Sequence, residues 1–175
     1  MIYLITGTTH TGKTALAQKL LEKKLYPYLS MDHLKMGLIR SKNTDLTPED
    51  DNELTDYLWP IVSEIIKTAI ENKQNLIVEG AYVPFNWRKS FNDSYLNQIR
   101  FICLAMSDKY IEDNFNDIVE HSSDVEHRVD DTTLLKLVLT LSNHHYIDGF
   151  KKVGEKIVII DENYENTINK LLERL

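Results

Sequence analysis

The chain is short of the residues that build disulfide scaffolds, linkers and membrane spans. It has one cysteine, Cys103, so an internal disulfide or a cysteine-based zinc knuckle is excluded. Four prolines, six glycines and no Gly/Ser tract leave no linker to divide it. No apolar run approaches the roughly 18 residues of a membrane span, and no membrane partner is expected. Positive charge is also scarce. Twenty Lys and Arg face twenty-seven Asp and Glu, a formal charge of −7. Such an acidic body repels phosphate backbones, so nucleic acid is not an expected partner. The start, Met1-Ile2-Tyr3-Leu4-Ile5, lacks the basic stretch and long apolar core of a secretion signal, which points to a cytoplasmic setting. At 42% hydrophobic and 27% charged, the 175 residues read as one ordinary globular domain, 1–175.

Five short apolar runs are present, at residues 2–6, 26–31, 76–79, 100–104 and 156–160. None alternates cleanly, and stretches of helical spacing separate them, which predicts a parallel sheet covered on both faces. The first helix is expected over 13–25, burying Leu16, Leu20 and Leu21. Thr47-Pro48-Glu49-Asp50 reads as an N-cap, a proline at the first helical position and acids in the first turn. Leu54, Leu58, Ile61, Ile65 and Ala69 would form the buried stripe of that helix, kinked but not broken by Pro60. Ser107 is placed to cap a helix carrying Ile111, Phe115 and Ile118. Thr132 or Thr133 opens another, in which Leu134, Leu135, Val138, Leu139 and Leu141 look deeply buried. A last helix near 164–175 follows. Two polar segments, 41–51 and 121–131, are candidate flaps or simply solvated loops.

One motif carries specific chemistry. Gly7-Thr8-Thr9-His10-Thr11-Gly12-Lys13-Thr14 fits G-x-x-x-x-G-K-[ST], with an apolar strand before it and an amphipathic helix after it. Its glycines let backbone N–H groups turn around a phosphate, and the following helix adds its positive end. Lys13 would reach the β- and γ-phosphates of ATP, and the Thr14 hydroxyl would ligate Mg²⁺. The alternative is a glycine turn that merely joins a strand to a helix.

A P-loop this close to the start of a short five-strand chain resembles the P-loop small-molecule and nucleoside-monophosphate kinases, such as adenylate, shikimate and gluconate kinases. Ser30-Met31-Asp32-His33-Leu34-Lys35-Met36-Gly37-Leu38 is similar to bacterial proteins labelled 2-phosphoglycerate kinase or zeta-toxin-like kinase. The resemblance implies a P-loop NTPase three-layer α/β fold. Its five-stranded parallel sheet would have the order 2-3-1-4-5 with helices on both faces. It also implies an acceptor-side helical insertion at about 32–73 and a lid at about 122–131.

Asp32 follows the second strand, where a parallel sheet opens towards ligands, and related kinases carry an aspartate there that touches the acceptor or acts as base. It equally suits a helix cap. Leu76-Ile77-Val78-Glu79-Gly80 resembles a Walker B strand, so Glu79 would hold a Mg²⁺-bound water or the acceptor, unless it simply faces solvent. Arg40 matches an acceptor-binding arginine of the monophosphate kinases. Arg88 lies near their glycine-proline-arginine turn, and Arg128 is the lid arginine that would neutralise the transferring phosphoryl group. Each of the three could instead be a surface charge. Tyr82, Phe85 and Trp87 either wall the acceptor pocket or pack in the core. The expected activity is Mg²⁺- and ATP-dependent phosphoryl transfer to a small phosphorylated or hydroxylated metabolite. The rivals are a zeta-toxin-like sugar-nucleotide kinase and a nucleotide-dependent switch.

Overall fold

A computed structural model describes residues 1–120 and 132–175, with side chains described from 135 onward in the second stretch. The strands are β1 (Ile2–Gly7), β2 (Tyr28–Ser30), β3 (Leu76–Glu79), β4 (Ile99–Met106) and β5 (Ile157–Ile160). They form a five-stranded parallel sheet in the order β2-β3-β1-β4-β5. The expected lid, residues 122–131 with Arg128, lies outside the described residues. The chain resolves into two compact units, Met1–Thr6 with Lys13–Ile102 and Gly7–Gly12 with Cys103–Leu175.

In the first unit β3 pairs with β1 and β2, setting Ile5 and Ser30 beside Glu79. Helix α1 (Lys13–Lys24) packs on β3 and β2 through a face that includes the buried Leu16 and Leu20. Leu21 is half-buried. Helix α2 (Met31–Arg40) follows β2 without a loop and packs against α3 (Asp51–Glu71). The start of α3 departs from expectation. Asp50, not Thr47, is its N-cap, because the Asp50 carboxylate reaches back to accept from the Thr47 N–H at 2.7 Å and hydroxyl at 2.9 Å. Thr47-Pro48-Glu49-Asp50 is therefore a turn before the helix, and those Thr47 bonds hold the Asp50 carboxyl below its ordinary range. The helix then continues through Pro60 to Glu71. Its buried stripe is Leu54, Leu58, Val62, Ile66 and Ala69, so Val62 and Ile66 take the places expected for Ile61 and Ile65. After β3 come a 3₁₀ turn (Trp87–Ser90) and the one-turn α4 (Asp93–Leu96).

In the second unit α5 (Asp108–Glu120) begins where the Ser107 hydroxyl accepts the Tyr110 N–H at 3.0 Å. Helix α6 (Thr132–Lys152) packs on α5 and β5, and α7 (Tyr164–Arg174) ends the fold. Met106, Ile111, Ile118, Leu139 and Ile160 form the core, with Leu135 and Tyr164 packed against it. Val138 and Leu141 are 40% and 58% exposed, contrary to expectation. Apolar residues surround this part of α6, and one helix face cannot bury them all. Leu134 lies outside the described side chains. The buried face instead includes Asn143, whose amide donates to Leu139 O at 2.8 Å while its oxygen accepts the Met106 N–H at 2.7 Å. Cys103 is buried as a thiol.

Candidate functional site

The loop Gly7–Gly12 closes on itself. The Thr11 hydroxyl donates to Thr8 O at 2.8 Å and the Thr8 hydroxyl to Thr9 O at 3.1 Å. Gly7 has φ +147°, and a side chain there would collide with the Leu104 carbonyl. His10 holds φ +63°, a left-handed backbone that a non-glycine residue adopts only with strain. Gly12 has φ +75°, and its carbonyl accepts the Tyr164 hydroxyl at 3.2 Å. Burial foremost, then Glu165 and Tyr110, pushes the Tyr164 hydroxyl up to about 12, so it remains a donor through the neutral range. Helix α1 begins at the next residue, with Lys13 buried to 8% exposure and Thr14 exposed in its first turn. Strand, glycine-bounded loop and helix N-terminus with Lys and Thr in succession suit a nucleotide triphosphate. An accessible Thr14 hydroxyl suits a Mg²⁺ ligand.

At the carboxyl end of β2, Ser30 is the N-cap of α2, accepting the His33 N–H at 3.5 Å. The capping role considered for Asp32 thus belongs to Ser30, and Asp32 sits in the first turn with its side chain 51% exposed. One turn on, Lys35 is nearly fully buried. Its ammonium lies 3.0 Å from Asp32 Oδ1 and donates to the Tyr82 hydroxyl at 2.7 Å. Tyr82 in turn donates to Asp51 Oδ1 at 3.3 Å, at the start of α3. The result is a chain of charge and hydrogen bonding, Asp32–Lys35–Tyr82–Asp51.

Glu79 does not face solvent; it is 1% exposed. Its Oε1 accepts the Tyr28 hydroxyl at 2.7 Å, while Oε2 has no hydrogen-bond partner among the described residues. Burial, then the bond and charge of Glu79, raise the Tyr28 hydroxyl well above its ordinary pKa; Asp32 adds to the shift. Tyr28 therefore stays protonated beside the carboxylate it serves.

Arg40 and Arg88 follow later in the two segments. Arg40 is exposed at the end of α2, eight residues and so about 12 Å along the axis from Asp32. Arg88 is exposed and stacks 4.7 Å from the Trp87 ring centre. The aromatic trio divides: Trp87 is buried and stacked on Phe101 at 5.1 Å, whereas Tyr82 joins the polar chain. Lys35, Asp51, Tyr28 and Tyr164 went unremarked as site residues in the sequence. Only Lys35 left a local signal, its i,i+3 spacing from Asp32.

The sheet order and the glycine loop between β1 and α1 define a P-loop α/β protein of three layers, the fold of the P-loop small-molecule kinases. Solved structures with this fold include shikimate kinase from Bacteroides thetaiotaomicron, with TM-score 0.57, 13% identity and coverage of 99% of this chain and 97% of that one. A sugar kinase from Janibacter sp. gives TM-score 0.57 and 13% identity over 98% and 92% of the two chains. A gluconokinase from Sinorhizobium meliloti gives TM-score 0.52 and 13% identity over 98% and 93%. No family model matches the chain, and no curated protein matches it in sequence.

Proposed function

We propose that this protein is an ATP- and Mg²⁺-dependent phosphotransferase acting on a small hydroxylated or phosphorylated metabolite. The observation that carries the reading is the glycine-bounded loop between β1 and α1, with Lys13 and Thr14 at the head of the helix. The kinase neighbours share that fold, and Asp32 stands at the carboxyl end of β2, where parallel sheets open to ligands.

In this reading the loop amides and Lys13 bind the β- and γ-phosphates, and Thr14 contributes a Mg²⁺ ligand. A Mg²⁺ ion held there would offset the charge of the phosphate oxygens. Asp32 orients the acceptor hydroxyl and takes its proton as the oxygen bonds to the γ-phosphorus and ADP leaves. Arg128 neutralises the transferring group. Glu79 holds a Mg²⁺-bound water or the acceptor, with Arg40 and Arg88 on the acceptor side. Residues 1–175 act as one kinase domain with an acceptor-side insertion at about 32–73 and a lid at about 122–131. Among the described residues no helix is long and apolar enough to cross a membrane.

The test is ADP release from ATP and Mg²⁺, with and without a pooled extract of small metabolites. Stimulation by the pool, abolished in a folded Lys13→Ala variant, supports the reading. Tight ATP binding with no stimulation would favour a nucleotide-dependent regulator, and an unimpaired Lys13→Ala variant would sink the loop assignment.

A further inference from the structure

Resting on that reading, we infer that the acceptor carries neither phosphate nor carboxylate: it is a polyhydroxylated compound that meets the site through hydrogen-bond donors.

The inference starts from Lys35. A nearly buried ammonium beside a candidate acceptor-binding aspartate would ordinarily mark an anion site. Here its charge is already engaged, because Asp32 lies 3.0 Å away and the Tyr82 hydroxyl 2.7 Å away. The same network ends on a second carboxylate, Asp51. Tyr28 joins a third, Glu79, and feels the charge of Asp32. Of the three carboxylates, Asp32 is paired with the one ammonium, Asp51 reaches it only through Tyr82, and Glu79 is bonded to Tyr28. An incoming anion would lose hydration and meet the charge of these carboxylates.

Glu79 supplies the independent observation. Its Oε2 is buried and has no partner among the described residues, a costly state that a ligand, water or ion relieves. An acceptor lone pair in that position requires a donor. A hydroxyl provides one, as does metal-bound water; an ionised phosphate or carboxylate does not. Asp32, half exposed with one oxygen on Lys35, offers a further acceptor to a second hydroxyl. Arg40 lies about two turns along α2 from Asp32, and Arg88 stacks on Trp87.

The experiment divides a small-metabolite extract on an anion-exchange resin and assays each fraction for ADP release by the wild-type chain with ATP and Mg²⁺. Myo-inositol and glucose serve as defined uncharged probes, gluconate and glycerol 3-phosphate as anionic ones. The expected result is stimulation of about tenfold or more by the unretained fraction and little by the retained one. If the retained fraction carries the stimulation, the inference is overturned and the kinase reading stands. If neither fraction stimulates while ATP still binds, the kinase reading falls and the inference with it.

Discussion

The Tyr164 hydroxyl donates to the Gly12 carbonyl across 3.2 Å, and the tyrosine ring fills the space a side chain at Gly12 would need. A Cβ there would come within 2.6 Å of Tyr164 Cε2 and Cζ, and the backbone is left-handed at φ +75°. Gly12→Ala should therefore lose about 1–2 kcal/mol from backbone strain alone, with more from the displaced ring. The expected outcome is a lowered Tm and an ATP Kd raised at least about tenfold, because the displaced loop no longer presents its amides to phosphate. Calorimetry with ATP checks it; wild-type affinity in Gly12→Ala would refute the bracing role.

The same tyrosine makes a prediction about alkali. Its pKa rises from 10.0 in the unfolded chain to about 12 in the folded one. Between those values the unfolded state loses the proton and the folded state keeps it, so stability falls as pH rises through the window. Urea midpoints of wild type and Tyr164→Phe should be separated by a constant amount below pH 10. Above it the wild type should decline more steeply. Parallel curves to about pH 12 would show that the hydroxyl is not held as described.

Asp32 and Lys35 should separate chemistry from binding. If Asp32 takes the acceptor proton, Asp32→Asn should lower kcat on the order of a hundredfold or more with little change in ATP Kd. Lys35→Met keeps the apolar stem beside Tyr82 but removes the charge that fixes Asp32. About a tenfold loss in kcat/KM for the acceptor is expected, again with ATP binding retained. Equal losses in ATP affinity for both variants would point to general disorder rather than to an acceptor site.

Asn143 holds the end of β4 through the Met106 N–H. Asn143→Ala leaves that buried donor without its acceptor and should destabilise the protein by about 1–3 kcal/mol in urea unfolding, with an unchanged slope. A change below about 0.5 kcal/mol would mean that water replaces the amide.

What was legible in the sequence was local. The glycine-bounded loop could be read from eight consecutive residues because the motif depends on contiguous backbone, two glycines and the helix that starts beside it. The apolar runs marked the strands for the same reason, since burial on both faces imposes its pattern within each segment. Failures began where a residue had competing partners. The Asp50 carboxylate turned back to Thr47, which moved the start of α3, and α6 carried more apolar residues than one face can hide.

Tertiary structure alone decided the Asp32–Lys35–Tyr82–Asp51 network and the brace on the loop. Lys35 meets Tyr82 across 47 positions, and Tyr164 meets Gly12 across 152. Neither pairing leaves a periodicity or spacing to read, because chain crossings rather than neighbours bring them together. Burial likewise separated a solvent-facing Glu79 from one with an unsatisfied oxygen, and burial is a property of everything packed around a residue. Sequence thus determined that a glycine-bounded loop of the G-x-x-x-x-G-K-[ST] form joins β1 to α1; the packing of distant segments determined the charge and hydrogen-bonding character of the residues proposed to face an acceptor.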